Sequence, residues 1–148
     1  MKLSRASTYA FYGLAHLASQ ADNSLIPLSE IYEQYGVPEK HLAKIFQQLV
    51  KAGILRSARG VNGGFALAKA AKEISPLDVI EALEGRVAET GCLLLQEPCD
   101  RDTACRINAV WRRAQHAMVK VLREATLVDM VDAPRTFRPP RDKVTEER

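Results

Sequence analysis

The sequence predicts a mainly α-helical protein with one small β-hairpin, and three observations support this fold class. Apolar residues recur at spacings of three and four along several segments, as they do on the buried face of a helix. Two short apolar runs within residues 54–67 flank a glycine-rich turn, which predicts a hairpin. The 148 residues, 47% hydrophobic and 26% charged, match one globular domain, and no apolar run approaches the roughly 18 residues of a membrane span.

Three helices are predicted in the first third of the chain, at residues 7–19, 30–35 and 38–52. Gly13 lies in the apolar stripe of the first helix and indicates close packing against another helix. Ser29 is the predicted N-cap of the second helix, and Gly36 ends it. Pro38 opens the third helix, where its missing N–H costs nothing.

The second and third helices are separated by a short turn containing glycine, an arrangement typical of a helix-turn-helix. A hairpin follows directly, with strands at residues 54–58 and 65–67 and a turn at residues 59–64. A hairpin in this position is typical of a wing. Arg59 lies at its tip, and arginine is attracted to the negative potential of a narrow minor groove. The alternative interpretation is a tight turn with a solvated charge.

The charges are segregated along the chain. Residues 40–72 contain seven basic side chains and no acid, whereas residues 73–102 contain eight acids and two arginines. Solvated surfaces usually mix both signs, so a wholly basic segment indicates a face that meets a polyanion. Chance clustering on a solvated face is the alternative. The basic side chains are Lys40, Lys44, Lys51, Arg56, Arg59, Lys69 and Lys72.

The second half of the chain predicts two more helices around an irregular segment. Ser75 and Pro76 start a helix that ends at Gly85, and residues 86–104 are irregular. Residues 106–124 predict a long amphipathic helix, whose apolar stripe needs a partner, most simply the same stripe in a second copy. The predicted dimer interface comprises Ile107, Val110, Trp111, Ala114, Met118, Val121 and Leu122.

We therefore predict three segments: a winged helix-turn-helix DNA-binding domain at residues 1–72, a cysteine loop and dimerisation helix at 73–131, and a disordered tail at 132–148. The first residues contain basic side chains but no apolar segment with a cleavage site, so a cytoplasmic, non-membrane protein is expected.

The three cysteines, Cys92, Cys99 and Cys105, lie within fourteen positions and cannot form a closed disulfide framework. Thiolates are the usual ligands of iron–sulfur clusters, and the loose spacing favours a cluster. Zinc usually takes closely spaced cysteine pairs and a fourth ligand, and the histidines lie on predicted helices instead. Free redox-active thiols are the other alternative.

An iron–sulfur enzyme or electron carrier is a competing class of function. The sequence contains no glycine-rich nucleotide loop, no Ser/His/Asp set and no second cysteine group. A basic wing also has no role in an electron carrier. We therefore predict that the protein is not an enzyme.

Together these segments resemble one known family. The matching stretches are MKLSRASTYA at the N-terminus, VPEKHLAKIFQQLVKAGILRSARGVNGGFALA, ISPLDVIEALEG, the cysteine loop and CRINAVW. They resemble the Rrf2-type family of bacterial winged-helix transcriptional regulators, which includes the iron–sulfur cluster regulator IscR, the nitric-oxide sensor NsrR and the rhizobial iron regulator RirA. The resemblance covers about residues 1–131.

The resemblance implies a homodimeric DNA-binding transcription regulator, in particular a repressor, on a palindromic double-stranded operator. A [2Fe–2S] or [4Fe–4S] cluster on Cys92, Cys99 and Cys105 would control operator affinity in response to iron, nitric oxide or redox state. The alternative is a cluster-free regulator of the same fold that uses thiol redox or a protein partner. The implied DNA-binding residues are Lys40, His41, Lys44, Gln47, Arg59, Gly60, Asn62 and Gly63.

The sequence departs from the family pattern at three positions. Asn108 and Thr8 stand where relatives place a histidine or an aspartate as the fourth cluster ligand. The nuclearity and the fourth ligand therefore stay open; nearby acids are further candidates. Ala43 stands where IscR has a glutamate, which accepts a hydrogen bond from cytosine N4, so a different operator is expected.

Overall fold

A computed structural model describes residues 3–20, 24–87 and 105–131, and it confirms the mainly helical fold with a two-stranded wing. Six α-helices and one antiparallel hairpin are described. The elements are α1 (Arg5–Ala18), α2 (Leu28–Tyr35), α3 (Glu39–Lys51), β1 (Leu55–Ala58), β2 (Gly64–Leu67), a 3₁₀ turn (Ala71–Glu73), α4 (Pro76–Glu84), α5 (Arg106–Glu124) and α6 (Leu127–Val131). The predicted disordered tail lies outside the described residues. No helix in the three described ranges is long and apolar enough to cross a membrane.

Helix α1 begins two residues before the predicted start because Ser4 caps it. The Ser4 hydroxyl oxygen accepts a hydrogen bond from the Ser7 N–H at 3.2 Å. The Ser7 hydroxyl is buried and donates to the Glu84 carboxylate, to which the Ser4 N–H also donates at 3.0 Å. The last residue of α4 therefore holds the first turn of α1.

The Glu84 contact predicts a pH-dependent contribution to stability. The hydrogen bond from Ser7 is the largest cause that lowers the pKa of the Glu84 carboxyl below 4.5. Because the pKa is lower in the folded state, the contribution is complete above pH 4.5 and is lost as the pH falls through the folded pKa.

We expect Glu84→Gln to lower the unfolding free energy at neutral pH, and the difference from wild type to shrink below pH 4.5. Urea denaturation at a series of pH values measures this difference. Ser7→Ala is the matched variant, since it removes the main donor and keeps the carboxylate. If Glu84→Gln lowers the unfolding free energy equally at all pH values, the Glu84 carboxylate is not the source of this pH dependence.

Helix α2 begins at Leu28 after Pro27, and no side chain caps it, so the prediction of Ser29 as its N-cap is wrong. The half-buried Leu28 packs against the core, and the helix starts two residues earlier than predicted. Gly36 ends α2 in the left-handed conformation, with φ of 65°, as predicted. His16 Nε2 lies 3.1 Å from Glu30 Oε1, and this pair joins α2 to α1.

The core is centred on the crossing of α1 and α3. A Cβ atom on Gly13 would lie 2.4 Å from Cζ of the buried Phe46 ring, so only glycine permits this approach. The same ring packs edge-on against Phe65 of β2, with 5.1 Å between the ring centroids. Phe46 therefore links α1, the third helix and the hairpin.

Helices α4 and α6 contribute to this same core through Val79 and Leu127. Helix α6 follows directly after α5 and was not predicted from the sequence. The Thr126 N–H and hydroxyl donate to Asp129 at its start, and the Leu127 N–H donates to the Ile74 carbonyl at 3.0 Å. The division at residue 72 remains a prediction about function, since residues on both sides of it share one hydrophobic cluster.

Strands β1 and β2 pair antiparallel, with Leu55 opposite Leu67 and Ala58 opposite Gly64. Ile26 forms an isolated antiparallel bridge with Phe65, in which the two residues exchange backbone hydrogen bonds of 2.9 Å. A Cβ atom on Gly64 would lie 2.4 Å from the Ile26 carbonyl oxygen, so glycine is needed where the strands meet. The wing is thereby attached to the segment that precedes α2.

Candidate nucleic-acid interface

Helix α3 has one buried face and one exposed polar face. The buried face contains Leu42, Ile45, Phe46 and Leu49, and this stripe orients the helix on the core. The four predicted DNA-contacting side chains of this helix are all exposed: Lys40, His41, Lys44 and Gln47. Ala43 is half-buried between the two faces. The predicted contact residues thus share one accessible surface.

The basic side chains of this surface are available to an outside partner. Among the residues that the structure describes, no acid forms an ion pair with Lys40, Lys44 or Arg59. The exposed face of α3 therefore carries uncompensated positive charge, as contact with a polyanion requires.

The wing tip is a tight turn between β1 and β2. The Gly63 N–H donates to the Gly60 carbonyl at 2.9 Å, and Gly60 has φ of 112°. A Cβ atom on Gly63 would lie 2.5 Å from the Ala58 carbonyl oxygen, so the turn closes only with glycine there. Arg59 and Asn62 are exposed beside this turn. Of the predicted wing residues, Arg59 and Asn62 thus have side chains accessible to a partner, whereas Gly60 and Gly63 allow the backbone to form the tight turn.

The wing is held in a fixed position relative to α3. Gly53, with φ of 71°, turns the chain after the helix, and the Ile54 N–H donates to the Leu49 carbonyl at 3.0 Å. The edge-on contact of Phe46 with Phe65 packs the helix against β2. Helix α3 and the hairpin consequently form one preorganised surface.

Helix α5 presents three faces with different properties. Asn108 and Val119 are buried on the face that packs against α4. A second face is apolar and open, with Ile107, Val110 and Val121 exposed by 54%, 65% and 64%. On this side Ala114 is exposed, whereas Trp111, Met118 and Leu122 are half-buried. The third face carries exposed basic side chains, which are Arg106, Arg113, Lys120 and Arg123.

Only one of the three predicted metal ligands belongs to the described residues. Cys105 is half-buried at the N-cap of α5, its thiol is free, and its side chain makes no capping hydrogen bond. Cys92 and Cys99 lie outside the described residues. Within the described ranges no cluster of three histidine, cysteine or acidic side chains is assembled.

Both positions that relatives use for a fourth ligand belong to the described residues. Asn108 follows Cys105 by one helical turn and is only 3% exposed. The Thr8 hydroxyl donates to the Ser4 carbonyl of its own helix at 3.1 Å. Neither observation distinguishes among the fourth ligands considered from the sequence.

The sequence analysis missed one feature of this surface, the side chain of Val61. It is 105% exposed at the tip of the wing, more than any other large hydrophobic side chain among the described residues. An isolated valine in a glycine-rich turn gives no periodic signal, so pattern analysis passes over it.

An exposed basic helix next to a rigid β-hairpin defines a winged helix-turn-helix protein. The family Rrf2, described as "Iron-dependent Transcriptional regulator", matches residues 3–133. The chain belongs to this family of transcriptional regulators.

Individual relatives agree with this assignment. Protein aau3 of Rhizobium meliloti (strain 1021) is 36% identical over 134 residues, which cover 90% of this chain and 86% of that protein. The structure is similar to that of CymR, the global cysteine regulator of B. subtilis, with a TM-score of 0.74, 27% identity, and 88% and 96% of the two chains covered. It is also similar to IscR of T. potens, with a TM-score of 0.70, 28% identity, and 88% and 86% covered.

Proposed function

We propose that this regulator acts as a homodimeric, cytoplasmic repressor that binds a palindromic operator and responds to the state of an iron–sulfur cluster. The observation that carries the DNA-binding part is the exposed basic surface of α3 and the wing, which lies within the acid-free residues 40–72. A major groove admits an α-helix, and a hairpin beside that helix is placed to reach the adjacent minor groove.

The exposed residues of α3 have different roles in this proposal. Lys40 and Lys44 bind phosphates and fix the position of the helix without specifying sequence. His41 and Gln47 offer hydrogen-bonding groups to base edges, and Gln47 suits adenine. Ala43 has no hydrogen-bonding side chain and contacts at most a thymine methyl group.

Dimerisation follows from the open apolar face of α5. Its large side chains, exposed in the single chain, become buried when a second copy of the helix packs against them. Two recognition helices are then held at a fixed separation, which a palindromic operator requires.

The donor set fits an iron–sulfur cluster. Three thiols lie within fourteen positions, and the free Cys105 thiol stands at the N-terminus of α5, where a helix favours negative charge. Cys92, Cys99 and Cys105 would hold the cluster. Its occupancy would depend on available iron, and its reaction with nitric oxide or oxidants would provide the other signals. The iron-dependent description of the family supports this assignment.

A cluster-free regulator is the second candidate, and the similarity to CymR favours it, because that protein is named as a cysteine regulator. The two candidates differ in the absorbance of anaerobically purified protein. Visible cluster bands that disappear in Cys105→Ala support the cluster. Colourless protein that still binds its own promoter supports thiol redox or a protein partner.

The DNA-binding proposal predicts that Arg59→Ala lowers operator affinity, most strongly for sites with A·T-rich flanks under the wings. The reason is that the narrow minor groove of such flanks attracts an arginine side chain. Titrations at several salt concentrations measure the effect, and the negative slope of log K against log salt should fall by about 0.9, because the charge of Arg59 neutralises about one phosphate charge.

Arg59→Lys is the matched control, because it keeps the charge but changes the shape of the group. It should retain most of the salt dependence. Wild-type affinity of Arg59→Ala for every duplex would rule out insertion of the wing.

A further inference from the structure

The wing tip holds an apolar side chain in full contact with water. Val61 is 105% exposed, whereas Ile107, Val110 and Val121 belong to the continuous apolar face of α5. Turns are dominated by Gly, Pro, Asn, Asp and Ser, and Val61 occupies a central position of the turn closed by Gly60 and Gly63. A valine here contributes nothing to the hydrophobic core, so its side chain is free for an outside contact.

The backbone around Val61 is rigid and directs the side chain outwards. The turn is closed by the 2.9 Å hydrogen bond between the Gly60 carbonyl and the Gly63 N–H, and paired strands fix its base. A Cβ atom on Gly63 would lie 2.5 Å from the Ala58 carbonyl oxygen, so this form of the turn requires glycine there. An isopropyl group on a preorganised tip reaches a partner without the cost of ordering a loop.

We propose that Val61 is a specificity-determining residue that enters the minor groove beside Arg59 and discriminates against guanine. The inference rests on the proposed DNA-binding function. In the minor groove, A·T and T·A pairs expose only acceptors, whereas a G·C pair adds the guanine 2-amino donor. Because the isopropyl group has no acceptor, it desolvates this donor without replacing the lost hydrogen bond.

The roles of the two side chains are separate. Arg59 responds to the electrostatic potential, which depends on groove width, and the exposed Asn62 is able to hydrogen-bond to either kind of pair. Val61 responds to a single exocyclic group. Changing this one group on the DNA, with no change on the major-groove side, and comparing wild type with Val61 variants therefore isolates its contribution.

The test uses the full-length dimer and three operators that differ at the base pair found by footprinting under the wing tip: A·T, G·C or inosine·C. Inosine is guanine without its 2-amino group. We expect wild type to bind the A·T and inosine·C operators alike and the G·C operator about ten-fold more weakly. Val61→Thr keeps the shape and adds a hydroxyl acceptor, so discrimination between inosine·C and G·C should largely disappear.

Val61→Gly provides a second variant, and it should also lose the discrimination because no side chain remains to desolvate the amino group. Both variants should keep the melting temperature of wild type, since Val61 lies outside the core. If both retain the ten-fold preference, groove width or Arg59 produces it and the inference is wrong. If wild type binds no duplex at all, the proposed function itself fails.

Discussion

Val110→Asp combined with Val121→Asp should convert the protein into monomers and weaken operator binding by about 100-fold or more. Both side chains are roughly two-thirds exposed, so the substitutions do not disturb the core of the single chain. Burying two carboxylates against an apolar helix face carries a large desolvation cost, which opposes dimerisation. In the dimer, binding of one subunit to its half-site raises the effective concentration of the other subunit at the second half-site of the operator. Monomers lose this coupling, which is worth about 10²–10⁴ in affinity.

The measurement pairs sedimentation velocity with operator titration at matched salt. Ala109→Asp serves as control for Val110→Asp, since it adds the same charge at an exposed neighbouring position on another face of α5. It should remain dimeric and bind nearly as wild type does. A monomeric wild type, or a double variant that stays dimeric at micromolar concentration, would exclude α5 as the interface.

Local patterns predicted the exposed polar face of α3 and the hairpin well. The stripe of Leu42, Ile45 and Leu49 leaves the polar side of α3 exposed by geometry alone, and that stripe is visible in the sequence. The wing was equally visible, because glycines at the turn allow backbone conformations that other residues rarely adopt. In both cases the determining interactions lie within a few residues of one another.

Features that depend on distant contacts were not predicted. The β-bridge of Ile26 exists only through its pairing with Phe65, and Pro27 directly after it prevents any strand signal in the sequence. Helix α6 has five residues, too few for intrinsic stability, and forms because Leu127 reaches the core and its N–H bonds to Ile74. Long-range packing creates both elements, and sequence periodicity does not encode it.

The helix caps show the same limit on a smaller scale. Ser29 and Ser4 are both plausible N-caps by residue type, yet only Ser4 caps its helix. Leu28 packs against the core, and α2 begins two residues earlier than an N-cap at Ser29 would allow. Burial of the apolar Leu28 side chain therefore favours a helix start after Pro27 over a start capped by Ser29.

The cysteine loop connects two parts of the molecule that the proposed function needs to coordinate. The segment from Gly85 to Cys105 joins the end of α4 to the start of α5. At one end, Glu84 holds the first turn of α1. Further along α1, Gly13 packs against Phe46 of α3. At the other end, α5 carries the proposed dimer face. Under the proposed function we therefore expect a change in the loop to act on both surfaces.

Removal of the cluster should consequently change operator affinity by about ten-fold or more, which corresponds to roughly 1–3 kcal/mol of coupling. A cluster shifts the balance between two arrangements of the dimer only if it binds one of them more tightly. Cys92→Ala, Cys99→Ala and Cys105→Ala should each lose the cluster and remain folded and dimeric. For Cys105 the structural reason is direct, since it is half-buried and outside the hydrophobic cluster.

The decisive comparison is operator binding by cluster-loaded and cluster-stripped wild type, at matched salt and without oxygen. Iron and sulfide analysis and the visible spectrum report loading, and sedimentation confirms the dimer in both states. The alanine variants should bind as the stripped protein does, and reconstitution should restore the loaded affinity to wild type alone. Equal affinities of loaded and stripped protein on several native promoters would show that the cysteines do not control DNA binding, because a ligand with equal affinity for both arrangements shifts neither.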